Sequence, residues 1–220
     1  MQRIGVLVGM QSEARLARNL YPTAIEASGA TMRGAEIALQ RLLDTGVDKI
    51  VSFGFAAGLD PLIKPGTILL PHTIYVNNKD YVPDLTLRSQ LGAEKSQVKI
   101  GALLHSDTII TSCAEKEILF QQTGCVAVDM ESGIVAQYCE EHQIPFAVLR
   151  VVCDSANRDL PPVASLALSN DGHLNISKII GSLLGNPDQV FDLIKLGADA
   201  AIAYWQLNSF VHKMSAFRFG

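Results

Sequence analysis

The chain offers no ready-made cradle for a nucleotide phosphate. Its 220 residues hold neither a G-x-x-x-x-G-K-[ST] loop nor a G-x-G-x-x-G turn, and Gly5-Val6-Leu7-Val8-Gly9 has the wrong spacing to replace one. No G-x-S-x-G elbow is present either, so ATP, dinucleotide and acyl-transfer chemistry lack their usual carriers. The four cysteines, Cys113, Cys125, Cys139 and Cys153, form no C-x-x-C pair and have no histidine at ligand spacing. That argues against a zinc site, and no metal centre is expected. Charge is sparse at 18% with a net of -4, and no basic stripe appears, which argues against a nucleic-acid partner. No apolar run reaches membrane-spanning length and no charged n-region precedes a long apolar stretch. The cytoplasm is the expected compartment.

What the chain does have is apolar residues, 48% of the total, enough for one sizeable core. The expectation is a single α/β domain over residues 1–220. Apolar runs and helical patterns alternate throughout. Strands are predicted over Ile4–Val8, Ala24–Ala27, Lys49–Phe53, Thr67–Val76 with a break at Pro71, Ile100–Leu104, Val126–Val128 and Phe146–Cys153. Helices are predicted over Gln11–Asn19, Met32–Leu43, a short stretch toward Leu91, Cys113–Gln122 and Glu131–Glu141. Further helices are expected from Pro161-Pro162, over Ile176–Leu184 and over Asp188–Phe210. Gly54-Phe55-Ala56-Ala57-Gly58 reads as a small-residue turn, and Asn77–Asp84 as a loop. The alternation predicts a central, mostly parallel sheet with helices on both faces.

Three carboxylates stand beside predicted strand ends: Glu13, Glu131 and Asp154. In a parallel sheet the ends that carry Glu131 and Asp154 would open on one edge, where ligands bind. Three acids suit cleavage of an N-glycosidic bond. A carboxylate can stabilise the positive charge that builds on the ribose, and an acid of raised pKa can protonate the departing base. The plainer alternative is that Glu131 and Asp154 cap structural elements and that Glu13 favours a helix dipole.

At these residues the sequence resembles the purine nucleoside phosphorylase and uridine phosphorylase superfamily, including the methylthioadenosine/S-adenosylhomocysteine nucleosidases. Ile4 to Glu13 is similar to the nucleosidase N-terminal strand with its catalytic glutamate. Phe53 to Leu59, followed by Lys64-Pro65-Gly66-Thr67-Ile68, resembles the family's small-residue loop and next strand. Val128-Asp129-Met130-Glu131 and Arg150-Val151-Val152-Cys153-Asp154 resemble the motifs of the ribose-holding acid and the acid facing purine N7. The resemblance implies a nucleoside phosphorylase-like fold. It also implies that Glu13 activates water, Glu131 binds the ribose, Asp154 protonates the purine and Met130 packs on the sugar. Gly54, Phe55, Ala56, Ile109, Val128, Asp129, Cys153 and Arg158 would complete the substrate site. No metal or organic cofactor is implied, with inorganic phosphate as the co-substrate of the phosphorylase branch.

Three positions depart from the family pattern. Phe55 replaces a serine of the small-residue loop, Ile109 stands where an aromatic covers the base, and Cys153 replaces the serine before the acid. Phe55 reads equally as core or pocket. One subgroup accommodates the changes: Asp154 to Pro162, with Gly172-His173-Leu174 and Ser182-Leu183-Leu184, resembles the hopanoid-associated phosphorylases. That likeness implies release of adenine from adenosylhopane, with phosphate or water as acceptor, by a homo-oligomer. A lipid-linked substrate would also bring peripheral membrane contact. The alternatives are a small-nucleoside nucleosidase and a non-catalytic nucleoside-binding module.

Overall fold

A computed structural model describes residues 3–20, 22–29, 31–160 and 189–217. The helices expected from Pro161-Pro162 and over Ile176–Leu184 lie outside these residues. Among the described residues ten strands form one sheet: β1 (Ile4–Val8), β2 (Ala24–Ala27), β3 (Lys49–Gly58), β4 (Ile68–Leu69), β5 (Thr73–Val76), β6 (Lys79–Tyr81), β7 (Val98–Lys99), β8 (Ala102–His105), β9 (Ala127–Asp129) and β10 (Phe146–Asp154). Six helices accompany them: α1 (Gln11–Ala17), α2 (Met32–Asp44), α3 (Leu85–Gln90), α4 (Cys113–Thr123), α5 (Ser132–Glu141) and α6 (Gln189–Phe217). None of the described helices is long and apolar enough to cross a membrane.

The long strands β3 and β10 pair in parallel at the centre, and β1 and β2 extend the sheet in parallel from β3. Side chains alternate between the faces, as the strand period demands. Leu7, Ile50, Val148 and Val152 point to one cluster beneath α2 and α5, with Leu39, Leu42 and Val135. Val6, Val8, Val51, Phe53, Leu149 and Val151 point to the other, where α6 supplies Ala203, Leu207, Phe210, Val211 and Met214 at helical spacing. The sheet is thus mostly parallel and covered by helices on both faces, in agreement with the fold class read from the sequence.

Three expectations are corrected. Gly54–Gly58 is the second half of β3, because Gly54, Phe55, Ala56 and Ala57 continue the β10 register while Ala57 and Gly58 pair with β9. Asn77–Asp84 contains β6: Asn77 and Asn78 both adopt positive φ, 48° and 64°, and form the two-residue hairpin turn that joins it to β5. Finally, β9 runs antiparallel to β3, with Val128 opposite Ala57. The segment carrying Glu131 therefore does not leave the sheet beside the end of β10. It runs back along β3 toward Gly54.

Candidate active site

That reversal builds the site. After β1, Gly9 and Met10 turn the chain into α1, whose third residue is Glu13. Its carboxylate accepts the Met10 backbone N–H at 2.7 Å and the Phe55 N–H of β3 at 3.2 Å, so it ties the start of the helix to the central strand. Only glycine fits at residue 54 beside it, since a Cβ there would lie 2.5 Å from Glu13 Oε1. Glu131 opens α5 but makes no side-chain cap bond. Asp129 does that work: its carboxylate accepts the Ser132 N–H at 3.3 Å and the Ser132 hydroxyl. Glu131 is left to face Glu13 across Gly9, where an added Cβ would meet Glu131 Oε1 at 3.0 Å and Glu13 Oε2 at 3.2 Å.

One cation holds these acids together. Arg150, fully buried in the middle of β10, donates from Nε to Asp129 at 2.6 Å and from Nη2 to Ser52 Oγ at 2.7 Å, and lies 3.7 Å from Glu131. Burial raises the Glu13 pKa against the pull of its backbone donors and Arg150. Burial likewise pushes Glu131 up to about 8, with Arg150 opposing and Asp129 and Glu13 reinforcing the rise. Three carboxylates against one guanidinium make a cluster that keeps a proton and favours further positive charge.

Asp154 ends β10 opposite Ala57, two residues beyond Phe55 on β3, or roughly 7 Å along the strand. It is buried, and its Oδ2 accepts from Lys116 Nζ at 2.5 Å. Its Oδ1 is buried without a hydrogen-bond partner among the described residues. Burial raises the Asp154 pKa, and Lys116 acts in the opposite direction.

The other expected residues divide. Met130, Ile109 and Cys153 are half-buried; Met130 adjoins Glu131 and Cys153 adjoins Asp154 in the chain, whereas Ile109 lies between β8 and α4, and burial pushes the Cys153 thiol up to about 12. Phe55 packs its half-buried ring on the apolar cluster that contains Leu16 and α6, and offers the site its backbone N–H. Ala56 lies in the cluster beneath α2 and α5, and Val128 in a third with Leu59, Leu104, Ile110 and Cys125. Two expected substrate ligands are already engaged within the protein. Asp129 is enclosed by Ser132 and Arg150, and Arg158 pairs with Asp199 of α6.

The sequence reading assigned no role to Arg150 or Lys116. A single charge inside the apolar strand Phe-Ala-Val-Leu-Arg-Val-Val-Cys-Asp was a usable signal for Arg150, because a buried guanidinium needs carboxylate partners. Lys116 carries no such mark: Glu115 and Glu117 flank it and make it look solvated. Together the groups can hold a polar ring beside the carboxylates of Glu13 and Glu131 and present, at the far end, a carboxyl oxygen that has no partner among the described residues.

Residues 23–171 match the family model described as the phosphorylase superfamily. Among curated proteins, the chain is 26% identical over 155 residues to a 5′-methylthioadenosine/S-adenosylhomocysteine nucleosidase of Buchnera aphidicola, covering 60% of this chain and 67% of the relative. It is 28% identical over 153 residues to the nucleosidase of the same name from Staphylococcus epidermidis, covering 59% and 67%. Among solved structures, that nucleosidase from Helicobacter pylori, with butyl-thio-DADMe-Immucillin-A, superposes with a TM-score of 0.66 at 17% identity, covering 97% of this chain and 99% of the other. Futalosine hydrolase of the same organism superposes with a TM-score of 0.64 at 18% identity, covering 83% and 98%.

Proposed function

The chain belongs to the phosphorylase superfamily, and from that premise we propose that it releases adenine from an adenosine-type nucleoside by hydrolysis. The observation that carries this reading is Asp154: a buried carboxyl at the end of β10, one oxygen held by Lys116 and the other without a partner among the described residues. In the reaction the C1′–N9 bond breaks and its electron pair leaves with the base. Asp154 delivers a proton to N7, and the ribose acquires oxocarbenium character. Glu131 holds the ribose hydroxyls. Glu13, made more basic by burial, takes the proton of the water that attacks C1′. Adenine and the free 5-substituted ribose are the products.

Water rather than phosphate is favoured by the charges. Arg150, Lys116 and Arg158 each already face a carboxylate, and Gly54–Gly58 contains no hydroxyl side chain. The curated relatives quoted above, both nucleosidases, point the same way. For the 5′ substituent we favour a long apolar group, with adenosylhopane as the candidate. The support is the likeness of Asp154 to Pro162 to the hopanoid-associated proteins. The relatives' names favour the alternative of a small 5′-thio substituent.

Adenine release should be followed from 5′-methylthioadenosine, S-adenosylhomocysteine and a long-chain 5′-alkyl adenosine, each with and without phosphate. The proposal expects release that phosphate does not accelerate, fastest with the alkyl compound. Strict phosphate dependence would overturn hydrolysis, and a preference for methylthioadenosine would overturn the lipid-linked substrate. Tight binding of all three without release would make the protein a binding module.

A further inference from the structure

Helix α4 has one fully buried side chain, and it is a lysine. Lys116 is wholly inaccessible, and its ammonium donates to Asp154 Oδ2 at 2.5 Å, to the Ser155 carbonyl at 2.9 Å and to the Arg158 carbonyl at 2.9 Å. Three acceptors match the three hydrogens of an ammonium, so the group has no donor left over. The same helix start holds the rest of the loop after β10. Asp159 accepts the Cys113 N–H at 2.6 Å, and the Leu160 N–H reaches the Thr111 carbonyl at 2.7 Å. Ion pairing alone would account for the contact with Asp154, since a buried ammonium needs a counter-charge. What points past it is the asymmetry it leaves: one carboxyl oxygen is held, and the other, among the described residues, is buried without a partner.

We propose that Lys116 is the positioning residue of the leaving-group acid: it fixes one edge of the Asp154 carboxyl so that Oδ1 alone meets the purine, and its charge neutralises the carboxylate left when the proton departs. This inference rests on the proposed adenine-releasing reaction. The step it serves is balanced: Asp154 Oδ1–H gives its proton to N7, the N-glycosidic electron pair goes to the purine, and the resulting carboxylate faces the Lys116 ammonium.

The test compares two leaving groups on the full chain. Adenine needs a proton to depart, whereas 4-nitrophenolate leaves without one. Lys116→Met should slow adenine release from 5′-methylthioadenosine by about 10²-fold or more, yet change cleavage of 4-nitrophenyl 5-methylthioribofuranoside only a few-fold. Equal losses on both substrates would make Lys116 merely structural. Asp154→Asn is the control for the underlying reaction: if it too shows no difference between the leaving groups, the Asp154 assignment fails before the lysine is in question. Lys116→Met leaves a buried carboxylate unpaired, so the Lys116→Met/Asp154→Asn double variant, which removes both charges, guards against misfolding. It should release adenine no more slowly than Asp154→Asn alone, and a further loss of similar size would place the action of Lys116 elsewhere. Binding supplies a readout independent of turnover. Wild type should prefer 9-deazaadenine, whose N7–H can donate to Asp154, over adenine by about ten-fold or more. Lys116→Met should lose that preference, and its retention would overturn the proposal.

Discussion

At one end of the site Glu13, Asp129 and Glu131 gather around Arg150, and at the other Asp154 alone faces Lys116. Both clusters are buried except for the partly exposed Glu131, and both are assembled from the central strands and a helix start. They differ in charge balance. The three-acid cluster has more negative groups than its one cation can match, so burial leaves a proton there, most plainly on Glu131 at about 8. The Asp154–Lys116 pair is matched one to one, and among the described residues the second carboxyl oxygen has no hydrogen-bond partner. Under the proposed chemistry the surplus suits a sugar that becomes positive, and the matched pair suits a group that must surrender a proton once per turnover.

Substitutions can break this contrast in order of expected size. Asp154→Asn keeps a carbonyl for Lys116 but has no acidic proton, so kcat for adenine release should fall about 10²–10⁴-fold, while the buried ammonium left without its counter-ion also lowers stability. An unchanged rate would remove Asp154 from the reaction. Arg150→Met should cost about 3–5 kcal/mol in urea denaturation. Lys116→Met should cost less, because a lone Asp154 can neutralise itself with one proton while the larger cluster must take up more. Equal costs would erase the distinction between the two ends.

The pH dependence sharpens it further. Glu131 binds its proton in the folded state up to about 8 but in the unfolded state only up to 4.5. Between those values the native protein holds more protons, so stability should decline as pH rises, by at most about 1.4 kcal/mol per pH unit from this group. Glu13 and Asp154 are raised as well and add to the slope. Glu131→Gln should therefore flatten the fall between pH 5 and 8, as read from unfolding curves across that range, without abolishing it. Smallest of all, Ser132→Ala removes one hydroxyl from Asp129 and should cost about 1 kcal/mol by the same measurement.

Much of this was legible in the residues, for reasons that vary by element. β1 and β2 fall on Ile4–Val8 and Ala24–Ala27 as expected, because short apolar runs between helical patterns leave little freedom. The second half of β3 was not legible, since Gly54 to Gly58 has turn composition and becomes strand only through β9 and β10. The three acids could be singled out because each follows an apolar strand. Their separation into two charge environments depends on Arg150 and Lys116, and the burial of Lys116 is a tertiary event with no local trace. The antiparallel course of β9 was equally hidden: it is set by pairing between segments some 70 residues apart in the chain.

Gly9 shapes the three-acid cluster without contributing a side chain. Glu13 and Glu131 approach over it so closely that a single methyl would touch both carboxylates, at 3.2 and 3.0 Å. The methyl of Gly9→Ala is small enough for a folded protein to accommodate by yielding a few tenths of an ångström. The accommodation would come from the two acids themselves. Residue 9 therefore acts as a gauge: the spacing between the group that holds the sugar and the group that would activate water is set by an atom that is absent.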